Sequence, residues 1–527
     1  MKLNIKTTIL PPLLLGAVLT GLTLVFPVLG FLEWVTLIPL FVGAYRLANS
    51  DSHGLWRTYW YGFLTVFTFY FVIYHWFTYL YPLDFVGMDH ISSAVVIVAG
   101  WAGLSLLQAI PGGLIFLFFK LMHRTTVFQR VPILRPIAFS ALWIIFEWSS
   151  TLSWVGVPWG RLCLGQAEYL PMLQSASLFG SYLISFLLLL VNGLLAYALL
   201  HRADFRRSAV YASVAVGLIL ANLFCGVFLM SAQSKPDQTV RMAVVQGNVN
   251  SHDKWSANSY AMSKEIYGDL TRRAAREGAE IVVWPETAFP YTLNHYGLLK
   301  DFVSELAVEC DVSIIVGAIY EDENENSYNA LYLVHPDGKI DQNIYAKRHL
   351  VPFGEYVPMR DIIMTLIPPL ANLSALGDDL SAGEDSNLFE TEYGKIGSLI
   401  CFDSIYEGLT LDSVRDGANV MILSSNDSWF YDSSAIYQHE AQAMLRAIET
   451  GRYLVRAGNT GISTIVTEKG DHLAWIDALK QGYAVADVEM QDHATLYTVI
   501  GNLLVYLCIA LCISIAGIGL CQKLRKR

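Results

Sequence analysis

Seven apolar stretches follow one another in the first 230 residues, near 8–26, 31–48, 59–80, 93–121, 137–152, 173–200 and 209–230. Most reach the roughly twenty residues that a helix needs to cross a bilayer core. An eighth runs from about 496 to 520. The fifth is the shortest, and the fourth contains Pro111-Gly112-Gly113, which predicts a kink. This pattern predicts a helical membrane bundle of eight transmembrane helices before any motif is considered. Composition points the same way: 54% of the residues are hydrophobic and 15% charged, against roughly 25% charged in soluble proteins.

Basic residues mark alternate loops. Lys2 and Lys6 precede the first stretch, and Arg46 and Arg57 flank the second loop. His123, Arg124, Arg130 and Arg135 fill the fourth loop, and Arg202, Arg206 and Arg207 the sixth. Lys523, Arg525, Lys526 and Arg527 end the chain, whereas the loop at 82–92 carries Asp84 and Asp89. The positive-inside rule then places both termini in the cytoplasm and the block between stretches seven and eight outside. The basic and apolar N-terminus is not followed by a small-residue cleavage site, which predicts an uncleaved anchor. Glu147 and His75 stand within apolar stretches, where ionisable groups are costly. Their places near Ser149 and Ser150 and near an outer end predict packing or interfacial roles rather than a proton relay.

A net charge of −11 without a basic patch argues against a nucleic-acid partner. The seven cysteines, Cys163, Cys225, Cys310, Cys401, Cys508, Cys512 and Cys521, form no CxxC or Cys/His pattern and no framework of close pairs. Neither a metal nor a disulfide scaffold is implied.

From Gln238 to about Asp492 the pattern changes. Strands are predicted at 240–246, 281–284, 312–318, 330–334, 396–401, 420–424, 462–466 and 483–488, and helices at 256–276, 298–310 and 434–450. Strands alternating with helices predict a layered α/β domain. The organisation is therefore a seven-helix membrane domain at 1–232, an α/β domain at 238–492 and a final transmembrane helix at 494–522. The stretch 357–384 interrupts the pattern with an apolar centre from Ile362 to Leu370. Long loops of this kind are usually functional, and an apolar one beside a bilayer predicts a lid.

Within this block, Ser398-Leu399-Ile400-Cys401-Phe402-Asp403-Ser404 begins apolar, reaches a thiol and turns polar at once. A buried parallel strand delivers a side chain to the carboxyl edge of a sheet in this way. The thiolate becomes a nucleophile if a base and an anion-stabilising group converge on it. Taken alone, such a cysteine is more often a buried hydrophobe. Trp284-Pro285-Glu286-Thr287 offers a general base in Glu286, or merely a turn acid. Lys347-Arg348-His349-Leu350-Val351-Pro352-Phe353-Gly354-Glu355 offers Lys347 as an oxyanion donor that would also favour the thiolate, or merely a solvent-facing lysine. Glu355, eight residues on, is a loop acid suited to an ion pair with Lys347.

The order Glu286, Lys347, Cys401 in these contexts resembles the nitrilase superfamily, with its catalytic Glu-Lys-Cys triad. With the flanking apolar stretches, the chain resembles the apolipoprotein N-acyltransferase family along nearly its whole length. The resemblance implies an αββα sandwich for the polar block, catalytic roles for those three residues, and a second essential carboxylate at Glu355. It implies an aromatic at the mouth of the site at Trp429, in Asn426-Asp427-Ser428-Trp429-Phe430, where plain packing is the alternative. Trp255, after Gln246-Gly247-Asn248, is a weaker parallel. The loop Val157-Pro158-Trp159-Gly160, ahead of Arg161, resembles an extracytoplasmic family loop that lines the lipid site, which singles out Trp159. Asp403 is a departure, because the family usually reads Cys-Tyr-Glu where this chain reads Cys401-Phe402-Asp403. Phe402 lacks the hydroxyl of that tyrosine, and an Asp at this place is familiar in soluble nitrilases.

By the resemblance, a Cys401 thiolate attacks a phospholipid acyl ester, giving a thioester and a lysophospholipid. The N-terminal amine of a diacylglyceryl apolipoprotein then takes the acyl group, with ping-pong kinetics. No cofactor is implied. The expected setting is a monomer in the bacterial inner membrane, with the catalytic domain periplasmic and both termini cytoplasmic. Two rival readings stay open. A membrane-tethered amidase or nitrile hydrolase would lose its acyl group to water without any amine. A transporter or scaffold with a degenerate outer domain would form no thioester.

Overall fold

The computed structural model describes residues 8–83, 88–152, 156–232, 236, 238–250, 254, 259–361, 365 and 379–524. The chain divides into two compact units, one of residues 1–78, 95–232 and 499–527 and one of residues 79–94 and 233–498.

The first unit is helical. Its main helices are α1 (Leu10–Val25), α2 (Ile38–Asn49), α3 (Leu55–Ile73), α4 (His90–His123), α5 (Leu134–Ser149), α6 (Ser181–Leu200) and α7 (Phe205–Ser231), with a closing helix at Leu503–Leu524. Five helical stretches, Pro27–Asn49, Leu55–Leu80, His90–His123, Ser181–Leu200 and Phe205–Ser231, are long and apolar enough to cross a membrane. The apolar stretches at Leu10–Val25 and Leu503–Gly519 are shorter, and α5 has 16 residues. Among the described residues, five of the eight expected spans therefore have helices of the full length and apolarity, and the other three coincide with shorter helices. α4 runs for 34 residues with Pro111 inside it.

Polar side chains repair the breaks in these helices. Between Glu33–Thr36 and α2 the Asn192 side chain of α6 bridges the junction at Leu37, donating to Glu33 O at 2.9 Å and accepting from Leu37 N at 3.0 Å. Where no water competes, an unpaired backbone group costs several kcal/mol, on the order of a lost helix turn. At the end of α2, the Lys120 ammonium donates to the carbonyls of Leu47, Ser50 and His53 at 2.9, 2.7 and 2.6 Å. A cation there also complements the helix C-terminus.

The second unit is an α/β sandwich of two six-stranded sheets. Its strands are β1 (Gln238–Gln246), β2 (Ile281–Val283), β3 (Ser313–Glu321), β4 (Ser327–Val334), β5 (Ile340–Ala346), β6 (Phe389–Thr391), β7 (Gly394–Ile400), β8 (Val420–Ser425), β9 (Leu454–Gly458), β10 (Ser463–Val466), β11 (His472–Ile476) and β12 (Gly482–Met490). The main helices are α8 (Ser259–Arg276), α9 (Gly297–Cys310), α10 (Glu407–Arg415) and α11 (Ser434–Thr450). The sheets run β12-β1-β2-β3-β4-β5 and β6-β7-β8-β9-β10-β11. Each has three parallel strands, β1-β2-β3 or β7-β8-β9, continued by two antiparallel ones and flanked by one more.

The period-2 alternation of the strands sorts the residues into two cores. Val240, Met242, Val244, Ile281 and Val283 pack with Ile396, Ile400, Val420 and Ile422 between the sheets. Ala243, Val245, Val282 and Trp284 turn the other way, against Tyr267, Leu270, Phe302 and Val303 of α8 and α9. α10 and α11 cover the second sheet. The order is αββα, and it leaves the carboxyl ends of the parallel strands of both sheets at one edge. The Ser424 hydroxyl of β8 donates there to the Trp284 carbonyl beyond β2, at 2.8 Å.

The apolar centre of the expected lid, 362–370, lies outside the described residues except Thr365. The arms of that loop are tied down by an Arg360–Asp379 ion pair and by bonds from Leu380 N to Glu355 O and Gly383 N to Lys347 O, at 2.9 and 2.8 Å. Trp255 also lies outside the described residues.

Candidate active site

The three central side chains all stand just past the carboxyl end of a strand. Beyond β2, Trp284 still pairs with β3 through Ile315 O, and Pro285, lacking an N–H, ends the ladder. Gly317 of β3 makes the next turn possible: a Cβ there would lie 2.3 Å from Pro285 O. Glu286 follows, 6% exposed, and Thr287 takes a φ of 41°. Cys401 comes directly after β7 with a φ of 48°, at the head of a 3₁₀ turn, Cys401–Ile405. For a residue with a Cβ, such a left-handed conformation costs about 1–2 kcal/mol, so the surroundings must hold it.

Asp403 does much of the holding. Its carboxylate accepts from Ile400 N at 3.1 Å, His349 N at 2.8 Å and the Tyr345 hydroxyl at 2.9 Å. It therefore ties the residue before the cysteine to the loop that carries Lys347. Burial pushes the Asp403 carboxyl up to about 6, although Lys347 and these donors pull it down. The shorter acid at this place is a bracket for the nucleophile's turn.

Lys347 follows β5 and is 1% exposed. Its ammonium lies 3.1 Å from Glu286 Oε1 and 2.9 Å from the Glu355 carboxylate. Asn329 of β4 bridges the same acids, donating to Glu286 Oε1 at 2.7 Å and to Glu355 Oε1 at 3.0 Å. Glu355 is fixed further by Val351 N, 2.8 Å from its Oε2. Burial alone would pull the Lys347 ammonium down, but Glu286 and Glu355 reverse this and hold it well above its ordinary range. Burial pushes the Cys401 thiol up, Glu286 adds to that push, and Lys347 only partly opposes it. Two carboxylates share the charge of Lys347, so its pull on the neighbouring thiol is divided.

Behind the cysteine lies a second polar group that sequence reading missed. Asp427, beyond β8, contacts His439 Nδ1 at 2.9 Å and accepts from Arg456 Nη2 at 2.6 Å. His439 Nε2 lies 3.1 Å from the Cys401 carbonyl and 3.0 Å from Ser404 Oγ. The Ser425 hydroxyl donates to Asp427 Oδ1 at 3.0 Å, extending this ring of polar groups behind the nucleophile. Burial alone would raise the Asp427 carboxyl, yet Arg456 and His439 hold it below the usual carboxylate range. Gly461 makes room, since a Cβ there would lie 2.1 Å from Asp427 Oδ2. Cys401, Asp427 and His439 place one donor atom each within 4.8 Å of one another, spacing that could suit a metal. Asp427 and His439 are already engaged in the ring, and the Arg456 guanidinium stands beside them, which disfavours a cation.

The remaining candidates are spread out. Trp429 lies half-buried in the turn after Asp427. Trp159 belongs to the helical unit, 4% exposed, with its ring 5.7 Å from that of Trp76. Glu147 is buried there, accepting from Trp143 Nε1 at 3.2 Å and Leu162 N at 3.1 Å. His75 caps its own turn, with Nδ1 3.2 Å from Val72 O. All seven cysteines are free thiols.

Sequence comparison places this site in a known context. The carbon-nitrogen hydrolase family matches residues 241–497, and the N-terminal domain of apolipoprotein N-acyltransferase matches residues 16–194. The apolipoprotein N-acyltransferase of Geobacter metallireducens is 30% identical over 97% of this chain and 95% of its own. The chain belongs to the apolipoprotein N-acyltransferase family. The enzyme of that name from Gloeobacter violaceus is also 30% identical, over 92% of this chain and 88% of its own. Among solved structures, a Saccharomyces cerevisiae nitrilase-superfamily protein, Nit3, is 21% identical over 51% of this chain and 97% of its own, with a TM-score of 0.39. An amidase from Nesterenkonia sp. is 16% identical over 51% and 95%, with the same TM-score. As a member of the apolipoprotein N-acyltransferase family, the protein is an acyltransferase that combines a membrane-helical region with a nitrilase-like α/β domain.

Proposed function

We propose that this enzyme moves an acyl chain from a phospholipid, through a thioester on Cys401, to the α-amine of the N-terminal diacylglyceryl-cysteine of a lipoprotein. The observation that supports it most is the cluster in which one buried ammonium, Lys347, lies within 3.1 Å of two carboxylates while a half-buried thiol stands at the adjacent strand end.

Glu286 takes the thiol proton as the sulfur attacks the ester carbonyl. Lys347 donates to the oxygen that becomes negative, and Glu355 and Asn329 keep it aimed. When the tetrahedral adduct collapses, the leaving lysophospholipid oxygen takes the proton from Glu286. In the second half, an amine attacks the thioester and Glu286 receives its proton. The thiolate leaves and takes that proton back. In this order the thiol proton leaves only as the sulfur attacks, so the charge on sulfur passes directly to the oxyanion. Trp429 and Trp255 are assigned to the mouth of the site and Trp159 to the lipid side.

The intact mass of purified protein tests the reading. Phospholipid alone should add one acyl chain, and a peptide with a diacylglyceryl-cysteine terminus should remove it and gain it. Steady loss of the acyl group without the peptide would instead make the protein a membrane-tethered hydrolase.

The setting belongs to the same proposal: a monomer in the inner membrane, with residues 1–232 and 494–522 spanning it and 238–492 periplasmic. The alternating Lys and Arg bias of the loops supports eight spans with both ends cytoplasmic. A reporter fused after Arg527 should work only in a cytoplasmic format. Activity of an export-dependent reporter there would overturn the orientation.

A further inference from the structure

We propose that Lys254 is a positioning residue of the transfer reaction: its buried ammonium clamps the Glu286–Thr287 turn and supplies the second positive charge the site needs when an oxyanion forms. This rests on the reading of Glu286, Lys347 and Cys401 as the reacting groups. Lys254 is 2% exposed, and its Nζ donates to Glu286 O at 3.0 Å and to Thr287 Oγ1 at 2.6 Å. Both bonds go to the turn that aims Glu286, one of them to a residue whose own φ is 41°. A clamp there holds a conformation that residues with a Cβ rarely adopt.

The partners of Lys254 set it apart from Lys347. Lys347 contacts two carboxylates, whereas the ammonium of Lys254 is bonded to a carbonyl and a hydroxyl, which carry no charge. The charged and titratable groups that act on it are Glu286 and Cys401. A buried cation bonded only to neutral groups is costly to keep. It makes sense where negative charge appears during the reaction.

The charges can be followed through the cycle. Around the Glu286 carboxylate, Glu286 and Glu355 outnumber Lys347 by one, and Lys254 balances these four groups, while Asp403 is held apart by Ile400 N, His349 N and Tyr345. After the proton moves to Glu286, the negative charge resides on sulfur and then on the oxyanion, and the sum is unchanged. Without Lys254, every intermediate would form in a pocket that is already negative. Asp427 does not alter the count, because it is paired with Arg456.

Burial pulls the Lys254 ammonium down to about 8, against the opposite pull of Glu286 and Cys401. Lys347 is held far above that. A loss of rate centred near pH 8 would therefore belong to Lys254.

Single-turnover thioester formation from phospholipid in mixed detergent micelles, followed by intact mass from pH 6 to pH 10, tests this. Wild type should lose rate through a limb near pH 8. Lys254→Arg, whose charge persists at every pH, should lack that limb and stay within about ten-fold of wild type at pH 7. Lys254→Met should be slower than wild type by about 100-fold at pH 7, the size of effect seen when a preorganised donor is removed, with the gap narrowing above pH 8 as wild type loses the same charge. A limb near pH 8 that persists in Lys254→Arg would overturn the proposal. So would an Arg variant as slow as the Met variant, or a Met variant within about three-fold of wild type at pH 7. Cys401→Ala, run alongside, separates the two levels of failure. A thioester in that variant would sink the triad reading itself, whereas the Lys254 results speak only to the clamp.

Discussion

Cys401→Ala is expected to abolish acyl-enzyme formation, and Cys401→Ser to leave less than about one part in a thousand of the rate, as nucleophile replacements commonly do. The reason lies in the base. Glu286 is a carboxylate whose Oε1 is shared between Lys347 and Asn329, and it must take a proton from a thiol that burial already holds back. A hydroxyl at the same place is harder still to deprotonate, so serine keeps the shape and loses the chemistry. The test is intact mass after incubation with phospholipid, before and after neutral hydroxylamine, which cleaves thioesters. Cys310, Cys163 and the other free thiols serve as internal controls. A hydroxylamine-sensitive acyl adduct in Cys401→Ala would place the nucleophile elsewhere.

Much of this arrangement was legible in the sequence, for physical reasons. The residues leading into Cys401, Leu399 and Ile400, are apolar because the end of that strand is covered on both faces, and the thiol falls at the sheet's edge, where polarity returns. α11 was found at its full length, 434–450, because its apolar residues recur at helical spacing. Four strands went unread: β5, β6, β9 and β11. β6 has three residues, and β5 and β11 are edge strands whose exposed faces dilute any apolar pattern. β9 holds Arg456 in its middle, fully buried, which looks wrong for a core strand until Asp427 is seen against it.

The same blindness hid part of the site. Asp427 lies two residues from the more conspicuous Trp429, and His439 lies in a helix whose pattern reads as packing. Asn329 sits within β4, just ahead of the apolar run that marked that strand. Lys254 adjoins Trp255 and carries no motif of its own. A sequence shows which residues could do chemistry at a strand end. It does not show which distant polar residues are spent in holding them, because such pairs are set by the stacking of two sheets.

Lys347→Met should produce the other large effect, on stability as well as rate. In the intact site the ammonium lies between Glu286 and Glu355, all three nearly inaccessible to water. Removing it leaves two buried carboxylates sharing the Asn329 amide, and breaking a buried pair in this way typically costs about 3–5 kcal/mol. The sign of the pH dependence follows. Without their cation, the acids gain a proton more readily folded than unfolded, so the variant's stability is retained in acid and lost as pH rises toward neutrality. Thioester formation should fall by about 1,000-fold, since the oxyanion loses its donor. The double variant Lys347→Met with Glu355→Gln separates the two losses. It removes one unpaired charge and should recover much of the stability, yet it should stay inactive. Melting of the purified protein at pH 5 and pH 8, beside single-turnover rates, measures both. A Lys347→Met protein that melts like wild type at pH 8 would mean the three groups do not form the ion cluster on which the mechanism depends.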